Sequence, residues 1–311
     1  MAVVGAGGEC VVELARTTGV SLMNVGLGLP ISDPPLLLDW ARSADAGPFS
    51  TLALLDRLVY DNPEPLVMLA ALAGVTSRIR VQTEVLLAPL REPALMAKQA
   101  ATLDRLSGGR LTLGIGLGGR RDDYLAAGVD SHGRGARLNE IMMDMRRIWS
   151  GEPYGEESGP IGPAPVREGG PEILFGALKP AAIERIARFG DGLLSASPLT
   201  EMDRLFRATE QAWRSAGRSG RPKLVAQLNA ALGPEPTIEE ARGHLHRYYS
   251  GPHYMDMPPD YTEMVVQRML TTPDEVRDAV QQVTDVGADE IIFYCWSVDM
   301  GQIDRFAETL A

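Results

Sequence analysis

The chain has 311 residues, 45% hydrophobic and 23% charged, enough to bury a large core and too apolar for a disordered polymer. Forty-one acidic against 30 basic residues give a formal charge of −11, which argues against a general nucleic-acid binder or an anionic-membrane protein but leaves room for a local basic site. No apolar run reaches the roughly 18 residues of a membrane span, and Cys10 and Cys295 lie too far apart to suggest a disulfide framework or a cysteine-held zinc.

Cysteine usage of this kind fits a reducing cytoplasm. Residues 1–22 read as an N-terminal arm before a domain at 23–311, because Glu9 and Glu13 interrupt the apolar stretch and Arg16 comes too late for a signal peptide. From residue 23, short apolar segments alternate with amphipathic ones. Strands are predicted at 23–29, 49–55, 79–87, 110–117, 172–177, 191–196, 224–232 and 290–296. Helices are predicted at 34–46, 63–75, 93–106, 135–149, 180–189, 201–216, 238–248, 273–286 and 300–310, several with proline in the first turn. Continuous apolar strands imply a parallel sheet buried on both faces, and eight βα units imply one closed (β/α)8 barrel, a TIM barrel of the α/β class. Two stretches break the rhythm: 152–170, after strand four, and 243–262, after strand seven, which reads as a binding insertion.

Chemistry-bearing residues cluster at the predicted strand ends. Asp56 closes strand two, where a carboxylate faces the barrel mouth as an acid, a base or a ring contact; the plainer reading is an ion pair with Arg57. Thr83 and Glu84 interrupt an apolar strand and need partners. Gly114–Gly119 has G-x-G-x-x-G spacing, but three βα units precede it, so a dinucleotide turn is disfavoured. Either a flat ligand approaches this backbone closely or the strand bulges at the rim. Gly176, Ala177 and Leu178 offer N–H groups at a helix start, beside Lys179, one of three lysines. The insertion carries Tyr248, Tyr249, His253 and Tyr254, expected to contact substrate, and its His244–His246 pair lacks a carboxylate at metal-binding spacing, so no metal is expected.

Three stretches resemble the luciferase-like flavin monooxygenase family, including its F420-dependent branch. They are Thr76–Pro93 continued by Ala97–Gly116, Arg134–Leu138, and Phe189-Gly-Asp-Gly-Leu193; the resemblance runs from about Met23 to the C-terminus. It implies a barrel that binds F420 or FMN at its C-terminal face and forms a homodimer. Thr83, Glu84 and Val85 match the segment lining the ring, with a non-proline cis peptide near Glu84–Val85. Gly116, Leu117 and Gly118 match the strand end beneath the cofactor, and Gly176 to Lys179 match the phosphate loop. Asp56 and Arg57 match the catalytic position, where the family often carries a histidine instead of arginine. Leu117 stands where luciferases carry arginine, and the glycine pattern is similar to F420 relatives, which favours F420. Pro180 removes a hydroxyl that some FMN members offer to phosphate. The implied activity is oxidoreduction of a small organic substrate, by hydride transfer with F420 or O2 activation with reduced FMN supplied by a partner reductase. The alternatives are a phosphate-binding aldolase or isomerase barrel, for which only Lys179 is near a strand end, and a barrel that binds flavin without turnover.

Overall fold

The computed structural model describes residues 2–4, 10–14, 21–251, 254–255 and 257–311. Among them, eight parallel strands close a barrel: β1 Ser21–Gly28, β2 Thr51–Leu54, β3 Arg80–Thr83, β4 Leu111–Gly116, β5 Glu172–Gly176, β6 Gly192–Ser195, β7 Lys223–Ala230 and β8 Glu290–Cys295. They pair in chain order, and β8 returns to β1 through Ile291↔Val25 and Phe293↔Leu27. Alternation along each strand sorts the side chains. Ile173, Leu193, Ile291 and Phe293 pack outward into the shell with the helices, whereas Leu174, Leu194, Val225 and Ile292 meet inside the barrel with Ala53. This two-sided burial explains the unbroken apolar runs.

The helices enclose the barrel: α1 Pro34–Ala46, α2 Pro65–Val75, α3 Pro93–Leu106, α4 Arg121–Ala127, α5 Arg134–Trp149, α6 Pro180–Phe189, α7 Leu199–Ser215, α8 Glu235–Tyr249, α9 Tyr261–Gln267, α10 Pro273–Asp285 and α11 Gly301–Leu310. Proline opens α1, α2, α3, α6 and α10, where its missing N–H has no helical partner to lose. No helix among the described residues is long and apolar enough to cross a membrane.

Several local features differ from the sequence-based expectation. The third strand breaks after Thr83 and resumes as Leu86–Leu87, paired with Ile115–Gly116. The Glu84–Val85 peptide between the two pieces is cis, the non-proline cis bond that the resemblance implied. The 152–170 stretch contains a hairpin of Pro153–Gly155 with Ser158–Pro160. Residues 243–249 continue α8, and α9 begins at Tyr261, so both ends of the 243–262 insertion are helical. The charged Arg120–Asp123 segment forms α4, because Asp123 and Tyr124 are buried and Gly128 caps the helix in the left-handed region at φ 67°.

The first residues of β2, β3, β5, β7 and β8 build a polar floor at the N-terminal end. Glu290 is 1% exposed; it accepts hydrogen bonds from Ser50 Oγ at 2.7 Å and Thr51 Oγ1 at 2.5 Å, and pairs with Lys223 Nζ at 3.0 Å. Lys223 also meets Glu172 at 3.4 Å, and Arg80 meets Glu172 at 3.5 Å. Burial pushes the Glu290 carboxyl up, but Lys223 and the two hydroxyls outweigh it and hold the group below the usual range. Burial likewise disfavours charged Lys223, and its two carboxylates more than compensate. A carboxylate with a depressed folded-state pKa stabilises the protein above its unfolded value and loses that contribution as pH falls through the folded one. Lys223→Met, which strands a buried Glu290, is expected to cost about 3 kcal/mol in urea unfolding at neutral pH. The deficit should shrink in acid as Glu290 takes up a proton.

Candidate active site at the barrel mouth

Each strand delivers its C-terminal residues to one face, so the mouth is assembled from the segments following β2, β3, β4, β5 and β8. Asp56 is 7% exposed, and its Oδ2 accepts from the Leu87 N–H at 2.9 Å and from Arg91 Nη2 at 2.9 Å. Burial raises its pKa despite Arg91, which also pairs with Glu64. Asp56 therefore ties the end of strand two to the Leu87–Arg91 turn, and its Oδ1 takes no part in either bond.

The expected plain pairing of Asp56 with Arg57 does not form. Arg57 turns instead to α4, where its Nε donates to Asp123 Oδ2 at 2.6 Å and its Nη2 to Val59 O at 3.1 Å. Asp123 Oδ1 accepts from the N–H groups of Leu58 and Val59 at 3.0 and 2.8 Å. The guanidinium lies 5.6 Å from the Tyr60 ring centre and 5.5 Å from that of Tyr248. Its Nη1 is buried without a hydrogen-bond partner.

Strand three presses against strand four. Thr83 Oγ1 donates to Gly114 O at 2.8 Å. A Cβ on Gly114 would lie 2.0 Å from Thr83 O, and one on Gly116 would lie 2.4 Å from Val85 Cγ2. The space that these glycines leave is filled by the third strand and its Val85 side chain, which also reaches to 3.5 Å from a Cβ on Gly176. Beyond them Leu117 O accepts from the Tyr124 hydroxyl, and Gly118 takes φ 75°. Gly176 ends β5 at the surface, Ala177 is buried, Leu178 is exposed, and Lys179 caps α6, whose first turn carries no acid.

The insertion covers the mouth with aromatics. Tyr248 contacts Tyr60, Tyr249 and Trp296 at 5.1–5.2 Å between centroids, and Tyr249 stacks on Tyr254 at 5.9 Å. Arg120 fastens this cover to the end of strand four: its guanidinium lies 4.7 Å over Tyr254, and Nη1 donates to Ser250 O at 3.1 Å. Met255 N donates to Gly119 O at 2.7 Å. Burial pushes the Tyr254 hydroxyl up to about 12, so it stays protonated. Three of the four expected substrate contacts thus gather here, while His253 lies outside the described residues. His244 Nδ1 meets Trp296 O at 3.0 Å and His246 pairs with Glu263 at 3.3 Å. Among the described residues, no three histidine, cysteine or acidic groups converge to hold a metal.

A cleft of about 850 Å³ opens beside strand four, lined by Leu117, Tyr124, Val129 and Met255 with Arg121 and Arg134. Sequence reasoning missed Arg91, Arg120 and Asp123, whose partners come from distant segments, and Gln82, whose polar side chain in an apolar strand was the visible clue. Asp123→Ala should destabilise the chain by about 3 kcal/mol in urea unfolding, because it removes the 2.6 Å partner of buried Arg57, leaving only Asp122 at 3.4 Å, and strips the Leu58 and Val59 N–H groups of their acceptor. Arg57→Met should cost less, since Asp123 keeps its two backbone donors.

Comparison with known proteins places the barrel. Residues 24–292 match the luciferase-like monooxygenase family. An uncharacterised protein of Mycobacterium tuberculosis is 35% identical over 170 residues, 52% of this chain and 60% of its own length, so the match spans less than two thirds of that relative. The F420-dependent glucose-6-phosphate dehydrogenase of Nocardia farcinica is 26% identical over 278 residues, 80% of this chain and 83% of that protein. The crystal structure of monooxygenase RslO1 from Streptomyces bottropensis shares the fold, with a TM-score of 0.75 at 24% identity over 93% of this chain and 98% of that one. With its family match running from the first barrel strand into the last, the chain belongs to the luciferase-like monooxygenases.

Proposed function

We propose that this protein is a cytoplasmic oxidoreductase that works with the deazaflavin F420 on a small organic substrate. The observation that carries the reading is the shelf at the mouth, where Val85 packs into the space left by Gly116 and Gly176, so that no longer side chain rises from those strand ends. We read this low backbone surface as the support on which a flat ring would lie. The likeness to an F420-dependent dehydrogenase over 80% of the chain supports this choice of cofactor. Once bound, F420 supplies a carrier for hydride. Thr83 to Val85 and Gly116 to Gly118 would support its ring, and the N–H groups at Gly176 to Leu178 with Lys179 would hold its phosphate. Asp56 would present Oδ1 toward the reacting atoms while Leu87 and Arg91 fix its orientation, and Arg57 would stiffen the neighbouring loop. Tyr248, Tyr249 and Tyr254, with His253, would exclude water and contact the substrate.

A second reading, reduced FMN with O2 and a separate reductase, draws support from the same aromatic cover, since oxygen chemistry needs a dry site. An aldolase-type barrel fits less well: Lys223 is held by two carboxylates at the opposite end, and Lys98 donates to Gly162 O outside the barrel. Titrating the protein separately with F420 and FMN, followed by fluorescence, tests the reading. F420 should bind more tightly, and Lys179→Glu should weaken it roughly 10-fold. If neither ligand binds, the reading fails.

The protein is proposed to act as a homodimer. Helix α2 contains no charged residue, and its outward face exposes Val67 at 67% beside Leu95 of α3 at 56%. Such a face is more apolar than a solvated helix requires. Val67→Glu should convert a dimer to monomer in sedimentation measurements. A wild-type monomer would end the proposal.

A further inference from the structure

The cleft beside strand four has no part in the site described so far, and its charge runs against that of the chain. Its lining starts with Leu117, the residue after Gly116 of the shelf, continues through Tyr124 and Val129, and takes in Met255 of the cover. At about 850 Å³ it has the size of a small-molecule pocket. The chain as a whole carries a formal −11, yet two arginines, Arg121 and Arg134, line this cleft against one acid, Asp130. That acid is engaged by its own loop: Asp130 Oδ1 accepts from the His132 N–H at 2.9 Å and lies 2.9 Å from His132 Nδ1.

The other acids of this region are turned elsewhere. Asp122 pairs with Arg120 at 3.1 Å and Asp123 with Arg57 at 2.6 Å, and neither lines the cleft. The first turn of α5 supplies no acid. Arg121 is exposed, and its side chain makes no hydrogen bond or ion pair among the described residues. Half-buried Arg134 is anchored by Ser131 O at 3.2 Å and by the Met255 sulfur at 3.8 Å. Neutral acceptors of this kind orient a guanidinium without cancelling its charge. Burial pushes the Tyr124 hydroxyl up to about 12, while Arg134 and Arg137 act to lower it and Asp123 is the smaller charge acting with burial. The field at the cleft wall is therefore positive. Two arginines on an open surface would mean little, but these converge on an apolar wall that includes Leu117, Leu125 and Val129. A low-dielectric wall focuses their field on whatever lies between them.

We propose that this cleft holds the anionic tail of the cofactor, the carboxylate-bearing chain that F420 carries beyond its phosphate and that FMN lacks. This rests on the functional reading above in taking F420 as the cofactor, and deepens it by assigning the part of that ligand which neither the shelf nor the Gly176–Lys179 turn accounts for. A ring on the shelf is common to both cofactors; the tail is not. The cleft opens one residue beyond the shelf, so a chain leaving the ring enters it directly. Its apolar wall would pack against the methylene groups of the tail, and Arg121 and Arg134 would pair with its carboxylates.

Fluorescence titrations with three probes test it: F420, FMN and the deazaflavin nucleoside that lacks both phosphate and tail. In the double variant Arg121→Glu, Arg134→Gln, affinity for F420 should fall roughly 10-fold, while FMN and the nucleoside bind as they do to wild type. Added salt should weaken F420 binding to wild type more steeply than nucleoside binding, and the variant should lose most of that difference. F420 that binds wild type and variant equally overturns the proposal and leaves the cofactor reading standing, with the tail in solvent. An equal loss for F420 and for a probe without the tail also overturns it, because the cleft then reads some other part of the ligand. If wild type binds no F420, the cofactor reading itself fails and the tail assignment falls with it. Should the double variant not fold, exposed Arg121→Glu alone decides, with a loss of roughly 3-fold expected for F420 and none for the nucleoside.

Discussion

The site depends on how closely strand three is allowed to approach strand four. With a Cβ at Gly114 lying 2.0 Å from a backbone oxygen, no residue other than glycine lets Thr83 reach its hydrogen bond to Gly114 O. From this one contact the rest of the mouth follows. Thr83 sets where the strand breaks, the break turns Val85 against Gly116 and Gly176, and Leu87 is then placed to donate to Asp56. Backbone cannot yield as a side-chain tip can, so the arrangement is fixed by sterics before any charge is considered.

Charge is divided between the two ends of the barrel. At the floor, acids and bases alternate around the strand starts and compensate one another's burial. At the mouth the compensation is local: Asp56 with Arg91 and Arg57 with Asp123 each join two segments far apart in sequence, while Arg120 pairs with Asp122 within one turn. These pairs are worth less as stability than as geometry, since a buried pair roughly offsets its own desolvation. What they do is hold loops in one place over a rigid barrel.

Most of the barrel was legible in the sequence. Runs such as Leu111–Gly116 or Glu290–Cys295 are buried on both faces, so their composition reports their environment without knowledge of their neighbours. Helix α4 was not legible. Arg120–Asp123 has the composition of a solvated turn, and only the fold reveals that Asp123 meets a guanidinium 66 positions away. The same holds for Asp56, whose adjacent Arg57 is the obvious partner in sequence and the wrong one in space. The glycines of strand four could be recognised as a close approach, but not what approaches them, because the answer lies on a different strand. The resemblance to a family supplied the cis peptide at Glu84–Val85, which no local propensity encodes, but not the break in strand three that accompanies it.

One further consequence follows from Tyr294. Its ring lies where a Cβ on Gly28 would be, 2.1 Å from the nearest ring carbon, and Trp296 adjoins it at 5.3 Å. The rim is therefore lopsided: bulky rings from strand eight, the loop after strand two and α8 gather on one side, and near-bare backbone at strands four and five lies on the other. The two sides tolerate change differently. Trimming the half-buried Tyr60 enlarges the hollow, whereas adding a methyl group at Gly116 drives into Val85. Descendants of this sequence are consequently free to alter what they accommodate along one half of the rim, while the other half stays as it is.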